Sequence, residues 1–100
     1  MSWKEVLPGE AEQMMNAEKA RCVDVREPEE YADGHIPGAV NVPLSELPER
    51  SGELDPAQAW IVVCQAGGRS ARACQYLAAA GYTRLHNLSG GMNDWEGEVK

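Results

Sequence analysis

Trp60-Ile61-Val62-Val63-Cys64-Gln65-Ala66-Gly67-Gly68-Arg69-Ser70 is the stretch that decides the fold. Its first five residues form a continuous apolar run, not an alternating one. Such a run suits a strand covered on both faces, as in a parallel sheet. Gln65-Ala66-Gly67-Gly68 ends it. From residue 69 or 70 to residue 80 the pattern predicts a helix, with Ala73, Leu77 and Ala80 on one face and Gly81 as the stop signal.

Working outward, residues 10–20 are rich in good helix formers, and Met14 and Met15 are expected to face the core. Residues 21–25 have strand character. Residues 27–32 read as a short helix, with Pro28 in its first turn and Gly34 after its end. Residues 39–42 form a further short strand that Pro43 closes, and residues 44–49 suit a helical turn or two. Toward the other end, residues 84–88 read as a last strand, Gly90-Gly91 as a turn and residues 92–95 as a final helical turn. Strands alternating with helices predict an α/β fold with a mainly parallel sheet. At 100 residues the chain fits one domain, residues 1–100. Ligands of such sheets bind beyond the carboxyl ends of the strands, and Cys64 stands at such an end.

Composition narrows the function. The net charge of −7 repels nucleic acid, so no nucleic-acid partner is expected. It also opposes small anions, so an anionic substrate needs a local positive site. The amino-terminal residues contain no apolar signal core, and no stretch approaches the roughly 18 apolar residues of a membrane span. A cytoplasmic, membrane-free location is therefore expected. Cys22, Cys64 and Cys74 are odd in number and lack close-pair metal spacing. That argues against a disulfide framework, and no metal or cofactor is expected.

The loop from Cys64 to Ser70 carries the chemistry. Its two glycines permit a tight curl, including positive φ. Successive N–H groups can then form an anion-binding nest, and the helix start adds free N–H groups and a positive dipole end. A cysteine held there ionises more readily than a free thiol, and the thiolate is the reactive form. Gln65, Ala66, Gly67, Gly68, Arg69 and Ser70 are the candidate substrate cradle. Cys64 is expected to be accessible and Arg69 to supply the local cation, although a solvated helix-start arginine is the bland alternative. Ser70 suits an N-cap as well as it suits catalysis. Cys22, in a strand, and Cys74, near the apolar helix face, read as packing residues.

Four segments together resemble the rhodanese family. They are Asp24-Val25-Arg26-Glu27-Pro28-Glu29-Glu30-Tyr31, Gly34-His35-Ile36-Pro37-Gly38-Ala39, residues 64–70, and Ser89-Gly90-Gly91-Met92-Asn93-Asp94-Trp95. The resemblance implies a rhodanese-like fold, with a parallel five-stranded sheet flanked by helices on both faces. It implies a sulfurtransferase that moves sulfane sulfur from a donor such as thiosulfate to cyanide or a thiol through a Cys64 persulfide. A thioredoxin or a sulfur-relay protein is among the partners it leaves open. Asp24, Arg26 and His35 match signature positions and are expected to shape the pocket. A structural Asp24–Arg26 ion pair and a His35 cap on the turn at Gly34 are the alternatives. His86 matches no signature and reads as a surface or strand residue. Gln65 is neutral where some relatives carry a cation, which leaves Arg69 as the main cation for an anionic donor.

Two other functions fit the residues less well. A phosphatase or arsenate reductase would use a Cys-x5-Arg loop, and residues 64–69 make Cys-x4-Arg, a tighter ring. A non-catalytic rhodanese-like binding module often lacks the cysteine that this chain retains.

Overall fold

A computed structural model describes residues 3–100. Its sheet comprises β1 (Lys4–Val6), β2 (Arg21–Asp24), β3 (Val40–Asn41), β4 (Trp60–Val63) and β5 (Leu85–Leu88). The spatial order is β1-β5-β4-β2-β3, with every neighbouring pair parallel. The helices are α1 (Pro8–Asn16), α2 (Pro28–Ala32), α3 (Leu47–Arg50), α4 (Gly68–Ala79) and α5 (Gly91–Asp94). The α/β fold with five parallel strands is as expected.

Alternate residues of the strands feed two apolar layers. Val23, Val25, Trp60, Val62 and Leu85 meet Leu47 of α3 and Ala73, Cys74 and Leu77 of α4. Cys22, Ile61, Val63, Leu88 and Val6 meet Ala11 of α1 and the half-buried Met14, Met15, Met92 and Trp95. Each of Trp60 to Val63 is at most 1% exposed, which is why β4 reads as a continuous apolar run. Cys22 and Cys74 are buried within these layers, as packing residues should be.

Several boundaries differ from the sequence reading. β1 was not apparent from the pattern because it has three residues and one inward apolar side chain, Val6. Pairing with β5, Lys4 with His86 and Val6 with Leu88, makes it a strand. α1 lies earlier than residues 10–20. It starts at Pro8, where a missing N–H costs nothing, and Glu10 reaches back to the Leu7 N–H at 3.1 Å. It stops at Asn16, and Glu18 turns the chain at φ 58°. The good helix formers at 17–20 are overruled because Ala20 must enter the core ahead of β2. α4 begins at Gly68, not 69 or 70, and Ala80 is an exposed cap instead of a core residue.

Candidate functional site

β4 delivers Cys64 to the carboxyl end of the central strand, and α4 starts four residues later. Gly67 is the N-cap of α4 and takes φ +106°, a left-handed conformation that favours glycine. Gly68 has an ordinary φ, so one glycine makes the curl, not two. The turn brings the Gly67 N–H to Cys64 Sγ at 3.0 Å. Ser70 Oγ lies 3.3 Å from the same sulfur and 3.1 Å from the Gly67 carbonyl, so its one proton serves the carbonyl or, once the sulfur is ionised, the thiolate. Ser70 is therefore the third residue of the helix and not its N-cap.

The sulfur sits deeper than expected. Cys64 is 1% exposed, because the loop that supplies the donors also covers it. Burial pushes the thiol pKa up. The Ser70 hydroxyl and the N–H groups of Ser70, Gly67 and Ala66 outweigh that, and the net shift is downward. Both other thiols go the opposite way. Burial, then the Glu5 charge, pushes Cys74 up to about 12. Burial, then Asp24, raises Cys22 further.

Arg69 is not the free cation that the sequence suggested. Its Nη1 and Nη2 donate to Glu30 Oε1 and Oε2 at 2.7 and 2.9 Å, a bidentate pair from α4 to α2. The Arg69 hydrogen bond, then the Glu27 N–H, holds the Glu30 carboxyl down at about 2. Glu30 gave no sequence signal for this role beyond its place in the first signature.

Asp24 and Arg26 do form a buried ion pair. Arg26 Nη2 and Nε reach the Asp24 carboxylate at 2.8 to 3.1 Å. The same guanidinium donates to Gly34 O at 2.8 Å and to Gln65 Oε1 at 3.2 Å. Gln65 then donates to Asn93 Oδ1 at 2.7 Å. Arg26 thus ties β2, the turn at Gly34 and the cysteine loop together, and the Gln65 side chain serves in that tie. His35 stacks on Tyr31 with ring centroids 3.8 Å apart, and its Nδ1 lies 2.9 Å from Tyr31 O. It braces the turn at Gly34 and makes no contact with Cys64.

Gly91 is the residue whose role was not read from sequence. The Met92 and Asn93 N–H groups donate to Cys64 O at 2.9 Å and Gln65 O at 3.0 Å, so α5 clamps the loop backbone. A Cβ at Gly91 would meet Cys64 O, and Gln65 C and O at 2.7 Å. From sequence the Gly90-Gly91 pair reads as a turn and as part of the carboxyl-terminal signature, with no sign of a clamp on the cysteine loop.

Beside the loop lies a cleft of about 350 Å³, lined in part by Arg26, Glu30, Asp33, Gln65, Met92 and Val99. A larger cleft, about 510 Å³, opens at the amino ends of the strands, around Ala59, Leu85 and His86. It lies at the opposite end of β4 from Cys64. Size favours the second cleft, but the Cys64 sulfur with its lowered pKa and its hydrogen-bond partners favours the first as the candidate active site. Among the described residues no cluster of His, Cys, Asp and Glu is placed to hold a metal ion. No helix among them is long and apolar enough to cross a membrane.

Comparison with known proteins gives concordant matches. The rhodanese-like domain family matches residues 7–98. YqhL of Bacillus subtilis is 45% identical over 82 residues, which cover 82% of this chain and 65% of YqhL. Thiosulfate sulfurtransferase GlpE of Shewanella oneidensis is 33% identical over 94 residues, covering 94% of this chain and 93% of GlpE. A crystal structure of a rhodanese-related protein from Thermoplasma volcanium superposes with a TM-score of 0.90 at 28% identity, over 97% of each chain.

Proposed function

From the fact that the chain belongs to the rhodanese-like domain family, we propose that it is a sulfurtransferase with Cys64 as its nucleophile. The observation that carries this is the sulfur of Cys64 held 3.0 Å from the Gly67 N–H and 3.3 Å from Ser70 Oγ, at the start of α4. The thiol pKa is lowered, which favours the reactive thiolate relative to a free cysteine.

The thiolate attacks the outer sulfur of the donor. With thiosulfate, the new bond joins Cys64 Sγ to that sulfur, the sulfur–sulfur bond of thiosulfate breaks, and sulfite leaves with the bonding pair. The terminal persulfide sulfur carries the negative charge, which the loop N–H groups stabilise whatever side chains they bear. An acceptor then attacks the terminal sulfur. With cyanide the products are thiocyanate and the Cys64 thiolate, and with a thiol they are a new persulfide and the same thiolate. Every transfer is an exchange at sulfur and needs no metal or other cofactor.

The cradle is the backbone from Gln65 to Ser70. Asp24, Arg26 and His35 act at one remove, by fixing the loop and the turn at Gly34. A thioredoxin or a sulfur-relay protein is a fitting acceptor, and a single domain acting in the cytoplasm is the setting in which we place it. The ring between Cys64 and Arg69 holds four residues, which suits a single sulfur better than a tetrahedral oxyanion.

Intact-mass spectrometry tests the reading. Thiosulfate should add one sulfur, mapped to Cys64, and cyanide should remove it with stoichiometric thiocyanate. A Cys64→Ser variant that still forms thiocyanate at the parent rate would overturn it.

A further inference from the structure

The cleft of about 510 Å³ at the amino ends of the strands has no part in the chemistry above. Its rim gathers Lys4, Lys19, Arg84 and His86, while Trp3, Met14 and Leu85 form apolar wall. No carboxylate lines it. That is unexpected in a chain with 16 acidic residues against 9 Lys and Arg. Among the described residues Arg26, Arg50 and Arg69 are in ion pairs, whereas Arg21 and Arg72, outside the cleft, are not. Among the described residues Lys4, Lys19 and Arg84 form none.

Helix dipoles do not account for this clustering. α1 and α4 both end at this pole, but neither has a basic residue in its last turn. Lys19 and Arg84 lie three and five residues beyond those ends, where the dipole has faded. The crowding is felt locally: burial, then the charges of Lys4 and Arg84, holds the His86 imidazole below its usual range. The Trp3 indole N–H is buried with no hydrogen-bond partner among the described residues. A buried donor left unpaired is uncommon and costly.

We propose that this cleft is a binding site for a nucleoside phosphate. The planar ring lies against the Trp3 wall, and the phosphate oxygens sit among Lys4, Lys19 and Arg84. The volume falls within the range of about 300–1,000 Å³ typical of small-molecule sites. Arg84 suits the phosphate, because Ala57 O holds its Nη1 at 2.8 Å and orients the planar fork. A ligand with both an aromatic ring and an anion uses the two kinds of wall together. An inorganic anion uses only one of them. The inference concerns a site at the far end of the sheet and does not depend on the sulfur chemistry.

The test is a titration of the isotope-labelled full chain with ADP, followed by amide chemical shifts. Adenosine and inorganic phosphate serve as probes of the two halves. Saturable shifts are expected at Lys4, Lys19, Arg84 and His86, with the amides of residues 64–70 unmoved. Adenosine and phosphate should each bind at least about tenfold more weakly than ADP. Lys4→Gln with Arg84→Gln should weaken ADP binding about tenfold or more and leave sulfur loading intact. If that double variant loses its dispersed spectrum, Lys19→Gln alone should weaken ADP about fivefold. The proposal is overturned by no saturable shift at millimolar ADP, by shifts centred on residues 64–70, by unchanged affinity in the folded variant, or by phosphate binding as tightly as ADP. Binding of an acidic peptide in preference to ADP would equally overturn it and would make the cleft a protein-docking site.

Discussion

Replacing Gly91 by alanine should disable the cysteine loop without touching a single reacting atom. Gly91 has φ +58°, so an L side chain there costs about 1–2 kcal/mol on backbone grounds. The added Cβ would lie 2.7 Å from Gln65 C and O and closer still to Cys64 O. Carbon and oxygen atoms in close contact settle at about 3.3–3.6 Å, so the two segments must part by at least roughly 0.6–0.9 Å at Gln65 and by more at Cys64 O. The obstructing atoms are backbone, and no side-chain rotation relieves them. The movement breaks the Met92 and Asn93 hydrogen bonds to Cys64 O and Gln65 O, each worth about 1 kcal/mol. The total destabilisation is about 3–4 kcal/mol, which in a chain of this size lowers Tm by roughly 15–25 °C. A displacement near 1 Å at the reacting centre costs about 100-fold in rate, and that is the expected loss in sulfur loading. Gly68→Ala is the control. Its φ is ordinary and a Cβ there meets nothing within 4 Å. Alanine in the first turn of α4 should raise stability by about 0.5–1 kcal/mol and leave loading within about twofold. The assays are thermal denaturation by circular dichroism and time-resolved mass spectrometry of sulfur loading, run well below the lowered Tm. A Gly91→Ala protein with the parent Tm and loading rate would refute the clamp.

The other predictions concern charge and protonation. Ser70→Ala removes a donor that lowers the Cys64 pKa, so the pH profile of iodoacetamide alkylation should move to higher pH, while a Ser70→Thr variant should largely restore it. An unmoved Ser70→Ala profile would show that the N–H groups alone hold the thiolate. Cys22→Ser and Cys74→Ser should keep most sulfur loading, since burial first of all keeps both thiols protonated, and peptide mapping should find the added sulfur on Cys64 only. Glu30→Gln releases Arg69 toward the loop and should speed loading from thiosulfate about threefold, with loading from a neutral persulfide unchanged. Equal changes for both donors would make Arg69 purely structural. Because the Glu30 pKa is lowered, the pair's stabilisation is present above the ordinary carboxylate range and is lost as pH falls through about 2. Both partners are about one-third exposed, so the acid limb of a stability curve for Glu30→Gln should differ from the parent by no more than about 1 kcal/mol.

What sequence could show follows from how far apart the deciding contacts lie. The run from Trp60 to Val63 is buried on both faces, so every residue in it carries the same signal and the strand is plain. The cysteine, the positive-φ glycine and the helix start are contiguous, and the nest they make is a local structure. β1 is the opposite case. Lys4 and Glu5 are polar, and the segment is a strand because β5, some 80 residues on, offers it an edge. Arg69 was read as unpaired because its carboxylate stands 39 residues earlier, in a helix whose orientation no local pattern gives. Gly91 was marked by its signature, but its purpose depends on a contact 26 or 27 residues back in the chain. Two roles are open to Ser70 from sequence; Gly67 takes the N-cap of α4, which puts the Ser70 hydroxyl within 3.3 Å of the sulfur.

The pairing of cations changes the account of how a negatively charged protein holds an anionic sulfur. Arg26 is matched by Asp24 and Arg69 by Glu30, so the side-chain charges around the loop largely cancel one another. What remains pointed at Cys64 is a set of dipoles, the N–H groups of Ser70, Gly67 and Ala66 and the Ser70 hydroxyl. Such dipoles are fixed by the backbone and need no counterion. Buried at the end of β4, they act at contact distance, where the field of distant surface carboxylates is screened. The ion pairs then serve geometry. Arg26 fixes Gln65 through its Oε1, and the Glu30–Arg69 bridge spans α2 and the first turn of α4. On this view the net charge of −7 governs which donors approach, while the loop governs what happens to a sulfur once it arrives.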